Sequence, residues 1–462
     1  MLVLTTSIIA TLAAALLAAA ADTMANAISS ISAVARAAPD ALPNAAAQAS
    51  AAVQVRECVL IVEPNFTGHR WRYAQWAAEA FIEAGYACLI VTESCNEDHR
   101  LARKITQANR AELEIAFIDP PAPRRAGLAM LERIPYLRYH RYFHHAYELV
   151  NAFQPVARVV VPYVDYFLYA LPFLGSPFGM TPWIGITMRS TFHHRKVGVK
   201  APARPVVNAI KSCLFRQAVQ VRGMRTMLSI DPTLPEWSIR WLGKRAAEVA
   251  YLADPFPDAH ADDPAQARAR LGLGTGRLLL VYGSITARKG IRELVAALEQ
   301  MPDAPTLVVA GEQDTDTREF LFAHRARLNP PPVMLDMFVT NEMEHDLFSA
   351  CDVVWLGYKG HYGMSGVLVQ AYRFGKPVIA TAEGLIGWFC YGSQLGPLLD
   401  DLAPQTIERA IDAVFTQAPE QAQHSADTDS QTQQDRHARL LERNTLVQFK
   451  RTLREAFDDD AR

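Results

Sequence analysis

Two short stretches carry residue types that could bind a phosphate group. The first, GSITARKG (283–290), joins an apolar run of strand length to a regular helical pattern and places Arg288 and Lys289 at the predicted start of that helix. The helix dipole disfavours cations at this end, so two of them together are costly unless they extend into water or an anion lies between them and the free N–H groups. Taken alone, the motif leaves both interpretations open.

The second stretch, HYGMSGVLVQ (361–370), opens another predicted helix with small residues. Gly363, Ser365 and Gly366 present unhindered N–H groups there, although glycines of this kind more often serve only to turn the chain. Two anion-competent helix starts in one domain favour a diphosphate ligand. The candidate binding residues are Gly283, Ser284, Arg288, Lys289, Tyr362, Gly363, Met364, Ser365, Gly366 and Gln370.

The elements that position these stretches alternate regularly. After a linker over 256–276, predicted strands and helices follow in strict alternation through 277–416, which is typical of a doubly wound α/β domain with a parallel sheet. Ligands of such domains bind where loops leave the carboxyl ends of the strands. Residues 56–255 are predicted to form a second domain of this type, with strands CVLIVE, ACLIVT, IAFID, ARVVVPY and WIGITM.

Both ends of the chain differ from these domains. Residues 1–55 are rich in alanine and begin with an uncharged run, which is either a membrane anchor or signal-like segment, or a start-site artefact or disordered extension. Residues 417–462 read as a polar linker followed by a last helix. Its predicted apolar face consists of Leu440, Leu441, Leu446, Phe449, Leu453 and Phe457.

Composition excludes some classes of protein. The chain has 46 basic and 48 acidic residues, a balance that argues against a general polyanion binder. Its 6 cysteines show neither a CxxC pair nor zinc-ligand spacing, so reduced thiols in a cytosol are expected. The DTD at 314–316 could suggest a metal site, but aspartate at a helix start is ordinary capping. We expect no metal and no cofactor.

From about residue 56 to 457, the sequence resembles the glycosyltransferases of the GT-B fold, most closely the retaining family 4 (group 1). The resemblance is carried by YGSITARKGIRELVAAL, TLVVAGE, FSACDVVWLGY and GMSGVLVQAYRFGKPVIATAEGLIG, and less specifically by VLIVEPNFTGHR. It implies two Rossmann-like domains facing a cleft, with a C-terminal helix that returns to the first domain.

The same resemblance implies transfer of a sugar from a nucleotide-diphosphate-sugar donor, with retention and without a metal. The expected acceptor is a glycan or a polyprenyl-diphosphate-linked saccharide, in exopolysaccharide or surface glycan synthesis. Arg288 and Lys289 would face the diphosphate, and the GMSG amides would face the phosphate and sugar.

Three positions depart from the family pattern. Family members often carry two glutamates eight positions apart, where this sequence has Tyr362 and Gln370, and an arginine where it has Ser284. Gln370 can still hydrogen-bond a ribose hydroxyl. Two alternatives therefore stay open: a catalytically degenerate scaffold or regulatory protein, and a nucleotide-sugar 2-epimerase.

Histidines in two loops are candidates for catalysis. His193 and His194 follow the predicted strand WIGITM, and His69 lies in the loop after the first strand. A lone histidine is more often structural. Because the family frequently has a cleft histidine on such a loop, His193 is the first catalytic candidate and His69 the second.

Positive charge is concentrated in the segment 189–225. No acidic residue occurs between Asp165 and Asp231, whereas nine Lys and Arg residues do. This segment could bind an anionic membrane surface or a polyprenyl-diphosphate acceptor, or it could be an ordinary solvated face. A nucleic-acid partner is not expected, because no recognition module is present. The predicted location is cytoplasmic, either free or associated with the inner face of the membrane, peripherally or through an anchor.

Overall fold

The computed structural model describes residues 56–67, 70–121, 133–243, 246–257, 259–391, 395–416 and 437–458. They contain two parallel sheets, each covered by helices on both faces. The predicted fold class, two doubly wound domains, is confirmed.

The first sheet has seven parallel strands in the order β3-β2-β1-β4-β5-β6-β7. The strands are β1 Cys58–Val62, β2 Ala87–Thr92, β3 Leu113–Phe117, β4 Val156–Val161, β5 Trp183–Thr187, β6 Met224–Ser229 and β7 Glu248–Tyr251. The helices are α1 Arg70–Glu83, α2 Arg100–Ala108, α3 Pro135–Phe153, α4 Leu171–Leu174, α5 Pro205–Ala218 and α6 Thr233–Trp241. Strands β6 and β7 were not predicted, because their short sequences mix polar and apolar residues without a clear period.

The second sheet has six parallel strands in the order β10-β9-β8-β11-β12-β13. The strands are β8 Leu278–Tyr282, β9 Thr306–Ala310, β10 Val333–Leu335, β11 Val353–Leu356, β12 Val378–Thr381 and β13 Leu398–Leu399. The helices are α7 Pro264–Leu271, α8 Ile291–Leu298, α9 Thr315–His324, α10 Asn341–Ala350, α11 Gly366–Arg373, α12 Gly384–Cys390 and α13 Pro404–Thr416.

Continuous apolar strands explain why both faces of each sheet are buried. In β8, Leu278 and Leu280 pack into one core, and Leu279 and Val281 pack into the core on the opposite face. This alternation follows from the two-residue period of a strand, and it requires helices on both sides. The apolar stripe of α8 supplies part of the second core.

Each sheet has one point at which the strand order reverses. The reversal lies between β1 and β4 in the first sheet and between β8 and β11 in the second. Loops leave the sheet in opposite directions at such a switch point and open a crevice at the carboxyl ends of the strands, where ligands bind. The loop after β8 contains GSITARKG, and the loop after β11 leads into HYGMSG.

The C-terminal segment returns to the first domain, but not as one helix with one apolar face. Leu441 packs in the core of the second domain, whereas Phe449 and Leu453 pack in the first. A non-helical break at 442–445 separates them, and helix α14 Leu446–Glu455 starts where the Thr445 side chain accepts a hydrogen bond from Gln448 N. The predicted common face is therefore wrong, while the predicted return of the helix is confirmed.

Within the described ranges, no helix has both the length and the apolar character needed to cross a membrane. The Ala-rich segment 1–55 lies outside these ranges, so its predicted roles are not addressed by the structure.

Candidate functional site

The loops after β8 and β11 meet at the switch point of the second sheet. Gly290 lies between them with a left-handed backbone (φ 67°), and a Cβ on it would stand 2.2 Å from the Gly357 carbonyl oxygen. The Lys359 N–H donates to the Arg288 carbonyl at 2.8 Å, and the Trp355 indole N–H donates to the Lys289 carbonyl at 2.7 Å. These contacts fix the turn Ala287–Lys289 against the second loop.

Lys289 is buried at this junction, with 8% of its surface exposed. Its Nζ donates to the Tyr282 carbonyl at 2.5 Å and to the Tyr358 hydroxyl at 2.9 Å. In the part of the chain that the structure describes, Lys289 forms no ion pair with a carboxylate. Burial, and secondarily the Arg288 charge, lower the pKa of Lys289 to about 7. A buried cation without a counter-charge is costly, so this position favours an anionic ligand.

The sequence predicted that Arg288 and Lys289 act together, but in the structure their side chains differ in burial. Arg288 is exposed and Lys289 is buried. Gly283 (φ 97°) leaves open space beside the ammonium group, because a Cβ there would stand 3.5 Å from Lys289 Nζ. Ser284, in the same loop, is exposed. Lys289 is therefore the fixed charge of this loop and Arg288 the solvent-facing one.

Helix α11 starts beside the lysine. Its N-cap residue Ser365 makes no side-chain capping bond, so the first N–H groups of the helix stay available. The Ser365 side chain lies close enough to the Tyr358 hydroxyl to lower the pKa of Tyr358, and this hydroxyl accepts a hydrogen bond from Lys289. Burial raises the pKa of Tyr358 to about 12. Tyr358 thus connects the two predicted loops, and sequence reasoning missed it.

Gly366 has a packing role in addition to any role in ligand binding. A Cβ on Gly366 would stand 2.5 Å from the Phe256 ring. The interpretation of this glycine as a small residue needed for close packing is therefore supported. Gly363 has no such neighbour: a Cβ there would stand 3.9 Å from the His361 ring.

Gln370 is buried, with 4% of its surface exposed, and contacts a carboxylate from another helix. Its Nε2 donates to Glu344 of α10, which also accepts from the Tyr282 hydroxyl. Gln370 Oε1 has no hydrogen-bond partner in the described protein. A carboxylate therefore lies beside the position where the family pattern expects one, and it is supplied by Glu344.

Tyr362 likewise lies near a carboxylate. Burial and the charge of Glu383 raise the pKa of Tyr362, while Arg204 from the first domain lowers it. Leu385 N donates to the Tyr362 carbonyl at 3.2 Å, which holds the start of α12 against this loop. Met364, between Tyr362 and α11, accepts a hydrogen bond on its carbonyl from His361 Nε2 at 3.1 Å.

The predicted catalytic histidine His193 is fully buried, with 0% of its surface exposed. Its Nε2 lies 3.1 Å from Asp231 Oδ2 and 3.0 Å from Thr233 Oγ1, and His194 Nε2 lies 2.8 Å from the same carboxylate oxygen. Burial lowers the pKa of His193. Direct contact with a substrate would require this cluster to open, so the catalytic role of His193 stays a prediction. His69 lies outside the described residues.

Two groups of side chains in the described ranges have ligand atoms close enough to hold a metal ion. The first, His193, His194 and Asp231, is buried, and Asp231 Oδ1 already accepts from Thr233 N at 2.8 Å. The second, Asp262, His345 and Asp346, is more exposed, and both of its carboxylates pair with Arg270. Asp314 of the DTD stretch caps α9 by accepting from Thr317 N, as its position predicted.

Comparison with known proteins shows what the second domain and the fold are similar to. Residues 276–416 match the family model described as Glycosyl transferases group 1. No curated protein matches the sequence. The chain is similar in structure to the sucrose-phosphate synthase of Thermosynechococcus elongatus, with a TM-score of 0.55 and 16% identity over 88% of this chain and 96% of that one.

Two further structures are similar. HepE of Anabaena, in complex with UDP, has a TM-score of 0.56 and 15% identity over 86% of this chain and 98% of that one. The lipopolysaccharide outer core galactosyltransferase WaaB has a TM-score of 0.54 and 12% identity over 87% and 98%. The chain therefore has the GT-B fold, and residues 276–416 in its second domain are similar to the group 1 glycosyltransferases.

Proposed function

We propose that this protein transfers a sugar from a nucleotide-diphosphate-sugar donor to a glycan or lipid-linked saccharide acceptor. The observation that carries the proposal is Lys289, a buried cation to which the described residues offer no counter-charge. It lies at the switch point of the domain that matches the group 1 model, next to the free N–H groups of α11. A diphosphate supplies the missing negative charge. The UDP bound to HepE, a protein of the same fold, supports a uridine nucleotide as the donor carrier.

In the proposed reaction, negative charge develops on the leaving diphosphate as the bond from the sugar to its oxygen breaks. Lys289 Nζ and the first N–H groups of α11 are held in place before the reaction, so they stabilise this charge without reorganising. Arg288 approaches from the solvent side. The departing phosphate oxygen can take the proton of the acceptor hydroxyl. Lys289, Arg288 and the helix N–H groups supply the charge stabilisation, and we propose no metal requirement.

The carboxylates missing from Tyr362 and Gln370 are proposed to be supplied by neighbouring residues. Glu344, held by Gln370 and Tyr282, is placed to accept hydrogen bonds from nucleoside hydroxyls, and the free Oε1 of Gln370 adds a second acceptor. Glu383, beside Tyr362, is the corresponding candidate for donor sugar hydroxyls. This arrangement favours an active enzyme over a degenerate scaffold.

The finer features of the proposal rest on the sequence resemblance alone. They are retention of configuration and an acceptor from exopolysaccharide or surface glycan synthesis. The proposed cytoplasmic location rests instead on the pattern of the cysteines, and association with the inner face of the membrane rests on the basic segment 189–225. His193 keeps its proposed catalytic role on the basis of the sequence resemblance.

Calorimetric titration with a panel of UDP- and GDP-sugars tests the proposal. At least one is expected to bind, and Lys289→Met is expected to weaken it by roughly 100-fold, the loss typical of a buried charge pair. Lys450→Met is the matched control: the Lys450 side chain is 12% exposed, but Glu79 and Glu83 already neutralise it. If no nucleotide sugar of the panel binds, the result favours a catalytically degenerate scaffold. If Lys289→Met and Lys450→Met lose the same donor affinity, the proposed role of Lys289 is refuted.

A further inference from the structure

A short segment of the first domain is buried in the second. Residues 197–200, which we call the bridging segment, lie between β5 and α5 in the sequence. Val199 is only 2% exposed and packs in the core of the second domain. Val197 is partly buried against the cores of both domains. The bridging segment therefore joins the two domains through apolar contacts.

The buried histidine cluster holds one end of the bridging segment. His194 Nε2 lies 2.8 Å from the Asp231 carboxylate, and the His194 carbonyl accepts a hydrogen bond from Val199 N at 3.0 Å. Gly198 has a left-handed backbone (φ 82°), which lets the chain turn inside this hydrogen-bonded loop. The cluster therefore fixes the direction in which Val199 leaves the first domain.

The other end of the bridging segment contacts the turn before α12. The Lys200 carbonyl accepts a hydrogen bond at 2.8 Å from Gly384 N, which is the first N–H group of that helix. The first N–H groups of a helix have no partner within the helix, so this bond satisfies one of them from the other domain. Leu385, the next residue, is 1% exposed and packs in the same core as Val199. The bridging segment and the turn thus share a hydrogen bond and an apolar core.

The same turn lies against the start of the candidate donor loop HYGMSG (361–366). Gly384 has a left-handed backbone (φ 70°), and a Cβ on it would stand 2.6 Å from Tyr362 Cα and 2.7 Å from the His361 carbonyl oxygen. Leu385 N donates to the Tyr362 carbonyl at 3.2 Å. Ser365, in the same loop, is the N-cap residue of α11. A displacement of the Gly384 turn would therefore move the loop that leads to the free N–H groups of α11.

We propose that Val199 is a positioning residue for the nucleotide-sugar donor. Packed in the second domain, Val199 holds the Lys200 carbonyl on Gly384 N, and the Gly384 turn fixes loop 361–366 beside the first N–H groups of α11. The inference rests on the proposed donor site. It also gives the buried cluster of His194 and Asp231 a role in supporting that site without contact to the substrate.

Donor binding and the contact between Lys200 and Gly384 should be thermodynamically coupled. A donor that binds only when loop 361–366 is in place favours this contact, and the contact favours the donor by the same factor. A residue with a purely structural role would lower stability without this coupling. Local hydrogen exchange and donor affinity together therefore distinguish the two roles.

Hydrogen–deuterium exchange of the ligand-free full chain is the first test, because it does not depend on transferase activity. Val199→Ala replaces a buried isopropyl group with a methyl group and is expected to speed exchange of the Gly384 and Leu385 amides about tenfold. Val308→Ala is the matched control, since Val308 is 1% exposed, lies in the same core and belongs to β9. It should lower the denaturant midpoint by a similar amount but leave the exchange of these two amides near the wild-type rate.

Calorimetry with UDP-glucose is the second test. Val199→Ala should weaken donor binding about tenfold, a loss typical of mutations that act through a coupled network, whereas Val308→Ala should not. Saturating UDP-glucose should also slow the exchange of the Gly384 and Leu385 amides in Val199→Ala back toward the wild-type rate.

Two results would overturn the proposal: wild-type exchange at Gly384 in Val199→Ala, or the same loss of donor affinity in both valine variants. A failure of the proposed function would look different. In that case the wild type would bind no UDP-glucose, while Val199→Ala alone would still speed exchange at Gly384. The bridging contact would then stand, and the role of Val199 in donor binding would fall with the donor site.

Discussion

Donor binding is expected to weaken as pH rises above 7, because the pKa of Lys289 in the empty site is about 7. A bound diphosphate favours the charged ammonium and raises this pKa, so binding takes up a proton. More than one pH unit below this pKa the lysine is already charged and contributes no pH dependence. Above pH 7 the affinity falls with the charged fraction, and at pH 8 it should be about tenfold weaker than at pH 6.

Calorimetry with UDP-glucose is the suitable assay, because this ligand has no phosphate monoester and so no ionisation near pH 6 of its own. At pH 7, titration in buffers of different ionisation enthalpy should show uptake of about half a proton per donor bound. The neighbouring groups do not titrate between pH 7 and 8: burial lowers the pKa of His361 and raises that of Tyr358 to about 12.

Lys289→Met is the perturbation that isolates this effect. Its residual donor binding should be independent of pH between 7 and 8. Without ligand, the variant should unfold at a higher temperature than the wild type at pH 7, because it removes a buried cation that no carboxylate of the described segments neutralises. The reasoning would be refuted if the two proteins showed the same pH slope, or if wild-type affinity rose with pH.

Three further outcomes follow from the structure. Glu344→Gln should weaken donor binding about tenfold, while the same change at the exposed Glu342 on the same helix should not, as measured by calorimetry. Gly366→Ala should lower stability by about 1–3 kcal/mol in denaturant unfolding, since its Cβ would press on the Phe256 ring; an unchanged midpoint would exclude this packing role. Asp231→Asn should lower the free energy of unfolding by about 3 kcal/mol above pH 5, because the buried imidazoles of His193 and His194 hold the pKa of Asp231 below its ordinary value despite burial. This stabilisation is lost as pH falls below 4, so the unfolding curves of the wild type and the variant should converge in acid.

The parts of the fold that depend on local pattern could be predicted from the sequence. Continuous apolar strands that alternate with amphipathic helices predict parallel sheets. Because the strands are parallel, the same pattern also predicts that GSITARKG and HYGMSG meet at one end of the second sheet. The last helix was predicted to return to the first domain, but the break at 442–445 was missed, because Leu441 and Leu446 have the same apolar character although they enter different cores.

The parts of the site that depend on distant contacts could not be predicted. Tyr358 contacts Lys289 across 69 positions, and Glu344 contacts Gln370 across 26 positions, so neither pair leaves a spacing signal. Sequence alone also could not separate buried Lys289 from exposed Arg288, since the turn geometry decides which side chain points inward. His193 lies in the expected loop, but its inward orientation follows from Asp231 on a different strand end.

The location of the diphosphate in a donor complex tests the central claim most directly. A structure of the protein with a bound UDP-sugar is expected to show a phosphate oxygen within hydrogen-bond distance of Lys289 Nζ and of the first N–H groups of α11, with the nucleoside near Glu344. A diphosphate bound elsewhere, with Lys289 still hydrogen-bonded only to Tyr282 and Tyr358, would contradict the account.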